Sequence, residues 1–376
     1  MTTLASWAAR WRQFLLASML LAAMAATCGQ ASGQISGRPV AQPYFDYDWH
    51  ARFDDCRWPP VYWGFDPFAV WEDDCDEETG ECRTGFIAHR PNDWYVAADF
   101  IPLTYDPYYD VELARFGPTG PTALSTSDLD QEFDSGMRIT IGRTIGSCYQ
   151  LEASYQGSYS WADAVAVVDP APGVLSSFLT GFTAGAGTSA STSIFTAMQT
   201  AEFNARAWLD LPPGPFDVSV LLGVRHMNID ENFSFTFDGT TDSDALVQTE
   251  NELWGVQLGI DFKWLVHPRA YVDFDAKGAM CNNDLSASVR DGAAAPRFAF
   301  DDKTAFVGDL VLTLNWQIAP SWSIRAGYQA IFLTGLALGP DNMVANRDLL
   351  TAGPVQLDDR REAVFHGPVL GVMWAR

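Results

Sequence analysis

The sequence predicts an all-β fold, an up-and-down antiparallel transmembrane β-barrel of about ten strands, with twelve as the alternative. Three observations carry this prediction. Stretches of alternating apolar and polar residues recur along the chain, the connections between them alternate between long and short, and no apolar run after residue 26 is long enough for a membrane-spanning helix. A chain that crosses a membrane without such helices must form a closed barrel, because lipid satisfies no backbone hydrogen bonds.

The clearest strand runs from Tyr149 to Trp161. Its apolar face consists of Tyr149, Leu151, Ala153, Tyr155, Gly157, Tyr159 and Trp161, and the residues between them are all polar. Strands of globular proteins usually have about 5–6 residues, whereas a tilted membrane-spanning strand needs about 9–11. A long strand of a soluble β-sandwich is the alternative for this stretch alone.

The same alternation recurs in eight more stretches, and a tenth at about 362–375 is less regular. The apolar faces of the eight stretches lie within Trp94–Phe100, Met137–Ile141, Ala201–Ala207, Phe216–Val224, Trp254–Trp264, Val272–Ala276, Phe306–Trp316 and Trp322–Tyr328. An even number of strands lets the first and the last pair antiparallel, which leaves no open edge.

The connections between these stretches alternate in length. The long ones cover 104–133, 162–197, 229–248, 280–302 and 335–361, and the short ones cover 146–147, 211–215, 265–268 and 317–320. Long extracellular loops and short periplasmic turns are typical of outer-membrane barrels. This segregation favours a spanning barrel over a soluble β-protein.

The N-terminus has the layout of a secretory signal peptide at residues 1–31. Two arginines precede the apolar run Phe14–Ala26, and small residues follow it. This run is too short to span a membrane. Cleavage after Ala25 or Ala31 fits the pattern, and a lipoprotein site at Cys28 is the alternative. We therefore expect an exported protein located in the outer membrane.

Residues 32–90 form a segment that we predict to be irregular, acidic and rich in aromatic residues, ahead of the barrel at 91–376. Within it, Cys75 and Cys82 bracket an acidic loop and are the candidate disulfide pair. By contrast, Cys148 and Cys281 should lie at opposite ends of the predicted strands and should not be bonded, since a disulfide joins Cα atoms only about 4.4–6.8 Å apart.

Several short motifs resemble the seventh of the β-barrel porin families. They are Phe133-Asp134-Ser135-Gly136-Met137-Arg138, Leu151-Glu152, Tyr155-Gln156-Gly157, the glycine-rich set Asn251, Leu253, Gly255, Gln257 and Gly259, Gly327-Tyr328-Gln329, and His366-Gly367. The resemblance covers roughly 90–376 and implies a signal-bearing outer-membrane barrel of unestablished transport role. The chain departs from such barrels at its end, Trp374-Ala375-Arg376, because the assembly machinery commonly reads a terminal aromatic residue.

The polar faces of the predicted strands carry both acids and bases. They are Arg138, Glu152, Glu202, Arg206, Asp217, Arg225, Asp261, Lys263, Asp273, Asp275, Lys277, Asp309 and Arg325. We predict that these side chains face the lumen. There they either select solutes in an open pore or form ion pairs that fill a narrow interior, since about eight strands leave room only for side chains.

Tryptophans cluster near the ends of the predicted strands. The predicted aromatic girdle consists of Trp94, Trp161, Trp254, Trp264, Trp316, Trp322 and Trp374. Tryptophan is enriched where a barrel meets the lipid headgroups. The same pattern places Leu258, midway between two of these tryptophans, against the acyl chains.

No motif points to catalysis or to a cofactor. The five histidines form no HExxH motif, and the chain contains no GxSxG, Walker or dinucleotide motif, so we expect no enzyme activity, no cofactor and no metal site. A net charge of −24 argues against nucleic acid. The acidic run Asp73–Glu81 and the loop residues Asp238, Asp242 and Asp244 suit divalent cations, with solvated acidic loops as the alternative.

Two functions remain open at this point. The first is a porin-like pore for small solutes. The second is a structural or surface-binding barrel whose lumen is filled with side chains and whose long loops bind partners. Either barrel would contact outer-membrane lipid and the barrel-assembly machinery, and the sequence does not indicate an oligomeric state.

Overall fold

The structure is a computed structural model. It describes residues 71–75, 82–86 and 94–375, except for short gaps at 108–109, 131, 146–148, 169–173, 181, 183–186, 210–215, 240–242, 268, 293, 320 and 347–353. The predicted signal peptide and most of the segment 32–90 therefore lie outside the described residues.

The described chain consists of fifteen strands and one α-helix, together with two 3₁₀ turns at Thr126–Asp128 and Phe178–Thr180. In chain order they are β1 (Trp71–Cys75), β2 (Cys82–Phe86), β3 (Trp94–Pro107), β4 (Glu112–Phe116), β5 (Thr122–Ser125), β6 (Asp134–Ile145), β7 (Tyr149–Val168), β8 (Leu175–Ser177), β9 (Ser189–Trp208), β10 (Phe216–Asp238), β11 (Ser243–His267), β12 (Ala270–Asp291), β13 (Arg297–Ala319), β14 (Trp322–Leu336), α1 (Gly339–Ala345) and β15 (Arg361–Ala375).

Ten of these strands form one closed antiparallel sheet. Their order is β3, β6, β7, β9, β10, β11, β12, β13, β14 and β15, and β15 pairs back onto β3. Every strand pairs with its neighbours in the chain, which is the up-and-down arrangement. The prediction of a closed antiparallel barrel with ten strands is confirmed.

The strands are longer than predicted, and two of the predicted long loops are wrong. β10 and β11 have 23 and 25 residues and continue through the predicted loop 229–248. Likewise, β12 and β13 occupy most of the predicted loop 280–302. A strand of this length rises about 3.3 Å per residue and extends far beyond a hydrocarbon core of about 30 Å. The barrel therefore has two parts stacked along its axis.

The apolar side of β10 changes from the outer face to the inner face of the barrel at His226. The outward-facing residues are apolar from Phe216 to Val224 and then become polar at Asn228, Asp230, Asn232, Ser234 and Thr236. The inward-facing residues change from Asp217, Ser219 and Arg225 to Met227, Ile229, Phe233, Phe235 and Phe237. We call the barrel from the short turns up to the level of His226 and Trp254 the lower half, and the rest the upper half.

An apolar belt surrounds the lower half. On β11 it extends from Trp254 to Trp264, and Leu258 between them is 66% exposed. Of the other predicted girdle residues, Trp94, Trp316 and Trp322 lie on the outer surface near the short turns, each between 45% and 48% exposed, and Trp374 shares the outward face of β15 with Val372. The belt therefore ends in tryptophans at its lower margin.

Trp161 corrects the predicted girdle. β7 contains a bulge between Gln156 and Tyr159, where Ser158 adopts a φ of 75°. The extra residue reverses the facing of the strand beyond it. Tyr159 and Trp161 therefore point into the barrel, where both are buried, instead of towards the outside.

Two insertions close the upper half from within. The short strands β4, β5 and β8 form a separate three-stranded sheet, and residues of this sheet share a hydrophobic cluster with the inward-facing side chains of β9, β10, β11 and β12. After β14 the chain turns inwards, and helix α1 lies against β10 and β11 inside the barrel. The upper half is thus an ordinary β-structure with an apolar core.

The segment before the barrel is not wholly irregular, because β1 and β2 pair as an antiparallel hairpin. These strands have five residues each and carry several charges, so they show little alternation. Their register places Cys75 opposite Cys82, a Cα arrangement that suits a disulfide, and the bond itself stays a prediction. Cys281 is a buried free thiol and lies within β12, not beyond its end as predicted; Cys148 is outside the described residues.

Candidate functional site

All thirteen charged residues that the sequence assigned to the lumen lie on the inner face of the lower half, at inward positions of β6, β7 and β9 to β14. Salt bridges connect most of them across the barrel and not along single strands. The lumen is therefore the candidate functional site, and the question is whether these side chains leave a passage.

Arg206 on β9 is the centre of the first group. Its guanidinium lies 2.5 Å from Asp261, 3.3 Å from Asp275 and 3.6 Å from Glu152. These three carboxylates belong to β11, β12 and β7. Tyr95 donates a hydrogen bond to Glu152 at 2.5 Å from a fourth strand. One arginine thus joins side chains from much of the barrel circumference.

Arg225 on β10 is the centre of the second group. It forms an ion pair with Glu202 and lies 2.8 Å from Asp309. The ammonium of Lys277 is 3.1 Å from Glu202, and Gln257 donates to the same carboxylate at 3.0 Å. Arg225 is 1% exposed, so its charge is balanced entirely within the barrel.

Asp99 was missed by the sequence analysis, although it bridges two of the predicted lumen residues. It accepts a hydrogen bond from Arg138 at 3.0 Å and one from Arg325 at 2.5 Å. The signal was present, because Asp99 occupies an inward position between Ala98 and Phe100, which both face outwards.

A chamber of about 100 Å³, large enough for several water molecules, remains near the lower end of the barrel. Arg206, Asp273, Asp275 and Lys277 are among its lining residues. The chamber is small because ion pairs occupy most of the cross-section. Near it, both carboxylate oxygens of Asp217 lack a hydrogen-bond partner among the described residues.

Above the charged groups an apolar cluster fills the lumen. Tyr159 and Trp161 stack with their ring centroids 5.2 Å apart, and Trp161 also contacts Phe365 at 5.1 Å. The Tyr159 hydroxyl donates to the backbone oxygen of Ile101 and the Trp161 indole donates to that of Leu103, both at 2.9 Å. We call this cluster the seal. Its buried members on the barrel wall include Ile101, Leu103, Tyr105, Tyr159, Trp161, Met198, Met227, Ile229, Leu253 and Phe365, and Leu336 and Leu338 of the inserted segment belong to the same cluster.

Amide side chains fix the inserted segment Leu336–Asn346 above the seal. Asn251 donates to the backbone oxygen of Ala337 at 2.9 Å and accepts from its N–H at 2.8 Å. Asn283 donates to the backbone oxygen of Gly335 at 2.9 Å. Because paired polar groups are costly to separate in a buried setting, these hydrogen bonds stabilise the inserted position of the segment.

His226 on β10 and His366 on β15 lie on the outer surface. His366 is 2.9 Å from Asp106 and 2.6 Å from the Tyr328 hydroxyl, and His226 is 3.6 Å from Glu252. Within the described ranges, no three or more His, Cys, Asp and Glu side chains are placed to hold a metal ion. None of the described helices has the length and apolar character needed to cross a membrane.

Among solved structures, the chain is similar to the outer membrane protease OmpT from Escherichia coli, with 8% identity and a TM-score of 0.50 over 76% of this chain and 97% of that chain. It also matches the translocator domain of the autotransporter NalP from Neisseria meningitidis (10% identity, TM-score 0.34, 77% of this chain and 90% of that chain). A third match is Ail, the attachment invasion locus protein of Yersinia pestis (8% identity, TM-score 0.24, 76% of this chain and 99% of that chain).

No protein-family model matches the chain, and no curated protein matches it. Membership of the seventh β-barrel porin family therefore stays a prediction. Identities this low show the fold alone, and only the OmpT similarity is close enough to be used for it. Combined with the closed ten-stranded sheet and its apolar belt, it shows that the chain has the fold of an outer-membrane β-barrel protein.

Proposed function

We propose that the protein is an outer-membrane barrel with a closed lumen, which acts as a structural or surface-binding protein through its upper half. The observation that carries the proposal is the seal. Its side chains come from the barrel wall itself, on β3, β7, β9, β10, β11 and β15, and fill the cross-section between the charged groups and the upper core.

The charged groups below the seal support the same reading. A solute-selecting pore needs charges that face water, whereas here Arg206 and Arg225 are buried and each contacts at least two carboxylates. Such networks balance charge within a narrow lumen, as the small number of strands would favour, and atoms such as Nε and Nη1 of Arg225 are buried without a hydrogen-bond partner among the described residues. The inserted segment and the three-stranded sheet add a further layer above.

A porin-like pore for small solutes is the second candidate. The chamber at the lower end favours it, because a pore would need polar space of this kind. A pore would require the side chains of the seal to move apart. The strands that carry them are hydrogen-bonded to their neighbours in the barrel wall along most of their length. The closed barrel requires no such change.

The remaining expectations become part of the proposal. The barrel would lie in the outer membrane after export, with its upper half outside the cell, the apolar belt in lipid and the assembly machinery as its folding partner. It would act without a catalytic site or cofactor. Divalent cations are a further proposed partner, which the outward-facing carboxylates of the upper half would bind.

Planar-bilayer conductance tests the proposal. We expect no steady conductance from the purified chain, and none from a variant that lacks residues 337–346, because the wall side chains of the seal remain in place. Heat-modifiable gel migration of the same preparation shows that the non-conducting protein has folded and inserted. Stable channels from the unmodified chain would contradict the closed barrel and favour the porin-like pore.

A further inference from the structure

The inserted segment Leu336–Asn346 contains an unusual electrostatic contact. The chain leaves β14 at Gly335, whose φ of 76° lies in the region that favours glycine, and every residue from Leu336 to Met343 is buried. Inside the barrel, the first residue of α1, Gly339, donates its N–H to Glu231 on β10 at 2.5 Å. The position of the segment therefore depends on the state of this carboxyl group.

Glu231 is held by neutral donors. Besides the Gly339 N–H, it accepts hydrogen bonds from the Tyr105 hydroxyl at 3.2 Å and from the Thr196 hydroxyl at 3.4 Å. Glu231 is 1% exposed, and no salt bridge joins it to an arginine, lysine or histidine among the described residues. A buried carboxylate without a cation is costly, because burial disfavours its charged form.

The charged and titratable groups around Glu231 do not offset this cost. They are Tyr105 on β3, Asp341 on α1 and, through its ion pair with Asp341, Arg361 on β15. Glu231 lies beyond His226 and hence above the membrane-spanning part of β10. Burial raises the pKa of Glu231 to about 7, against the opposing effect of its hydrogen-bond donors, and the negative charge of Asp341 raises it further.

We propose that Glu231 is a proton-dependent latch, which holds the segment Leu336–Asn346 in the barrel while protonated and loosens it when ionised. Outside the core, Glu231 would have an ordinary pKa of about 4.3, so the inserted state binds the proton more strongly. The stabilisation is complete below that value and is lost as the pH rises through about 7. Leu336 and Leu338 of the segment belong to the same cluster as the seal, so loosening the segment withdraws these two side chains while the wall side chains of the seal stay in place.

Hydrogen–deuterium exchange of peptides covering 337–346 tests the latch in the refolded full chain. The native chain and the Glu231→Gln variant are compared at about pH 4 and about pH 8.5, and the ratio at each pH cancels the intrinsic chemical rate. We expect nearly equal exchange at the lower pH, where Glu231 is protonated in both the inserted and the released state. At the higher pH the native segment should exchange at least about tenfold faster, since each unit of pKa difference is worth a factor of about ten.

Glu250→Gln is the matched control. Glu250 lies on the neighbouring strand β11 and is exposed on the outer face, away from the inserted segment, so this variant should behave like the native chain. A ratio between the native chain and Glu231→Gln that is the same at both pH values would overturn the proposal.

If Glu231→Gln does not refold, the Asp341→Asn chain is used, because it removes the other carboxyl group of the segment that titrates in this pH range. Exchange of its 337–346 peptides is then compared with that of a wall peptide covering 253–263, whose strand does not change. The ratio of the two should rise about tenfold between the two pH values, and a constant ratio would rule the latch out.

Discussion

The lower and upper halves of this barrel are built from the same ten-stranded sheet, but the apolar side of the sheet faces outwards in the lower half and inwards in the upper half. Below His226, the outside is apolar and the inside is a network of ion pairs around Arg206 and Arg225. Above it, the outside of β10 is polar and the inside is an apolar core that contains Phe233, Phe235 and Phe237, whereas β13 still carries Phe300 on its outer face. The backbone passes through this change without a break, because a β-strand has two independent faces.

This difference shows that the surrounding medium, lipid or water, decides which residues are stable on each face of the sheet. Lipid surrounds the lower half in our proposal, so apolar residues are stable on its outer face. Its inner face carries charged and polar residues, which form ion pairs and hydrogen bonds with one another. Water surrounds the upper half, so burial of apolar side chains stabilises it in the usual way. The point of exchange on each strand therefore marks the edge of the membrane.

The largest expected effect is in the upper core. Phe233→Ala removes a fully buried ring and should cost about 4 kcal/mol in the free energy of unfolding, through lost burial and a residual cavity. Phe300→Ala is the matched control, since Phe300 is 76% exposed on the upper part of β13. Urea unfolding in lipid vesicles measures both. Equal losses would mean that the upper half has no core of its own.

Arg225→Met tests the interior of the lower half. It leaves Glu202 and Asp309 without their shared arginine, and we expect a loss of about 3 kcal/mol, less than for a wholly isolated pair because Lys277 still contacts Glu202. The same unfolding measurement applies. The triple variant Arg225→Met, Glu202→Gln and Asp309→Asn should recover part of the loss, and a further loss instead would show that packing and not charge holds this layer.

Leu258→Arg tests the outside of the lower half. Leu258 lies mid-belt and is 66% exposed, so in lipid the variant should cost about 2–4 kcal/mol, the midplane penalty for arginine. Gln248→Arg, on the exposed outer face of the same strand in the upper half, should change stability by less than about 0.5 kcal/mol. If both variants were equally mild, the belt would not be in lipid.

The smallest expected effect concerns pH and the inserted helix. Burial raises the pKa of Asp341 to about 6, although Arg361 opposes the shift. A raised pKa means that the stabilisation is complete below the ordinary value of about 4 and is lost as the pH rises through about 6. The native chain should thus lose about 1 kcal/mol more than Asp341→Asn between those values, as measured by unfolding at a series of pH values. A constant difference between the two proteins would contradict this.

The facing of most strands could be predicted from the sequence, and the length of the strands could not. In β10 the even-numbered positions are apolar up to Val224, and the odd-numbered ones from Met227 to Phe237 are apolar except for Glu231. The change of face looked like the end of the strand, so residues 229–248 were assigned to a loop. A search for a second alternation on the opposite face would have found the upper half.

The closure of the lumen could not be predicted in this way. Trp161 continues the apolar spacing of Tyr155 and Gly157, and a tryptophan suits the membrane boundary as well as a packed interior. Only the bulge at Ser158 turns it inwards, and a bulge of one residue leaves no mark on the spacing. The Trp161 indole and the Tyr159 hydroxyl donate hydrogen bonds to backbone oxygens of β3, which is distant in the chain.

The sequence by itself determined the closed barrel, the number of its strands and the charges on its inner face, because these follow from local alternation and from the requirement that a strand edge be paired. The tertiary structure decided which charges meet, where the seal lies and that Glu231 meets Gly339. These contacts join residues about a hundred positions apart, such as Glu231 and Gly339. They depend on register and on the bulge in β7, which the side chains of the whole wall fix together.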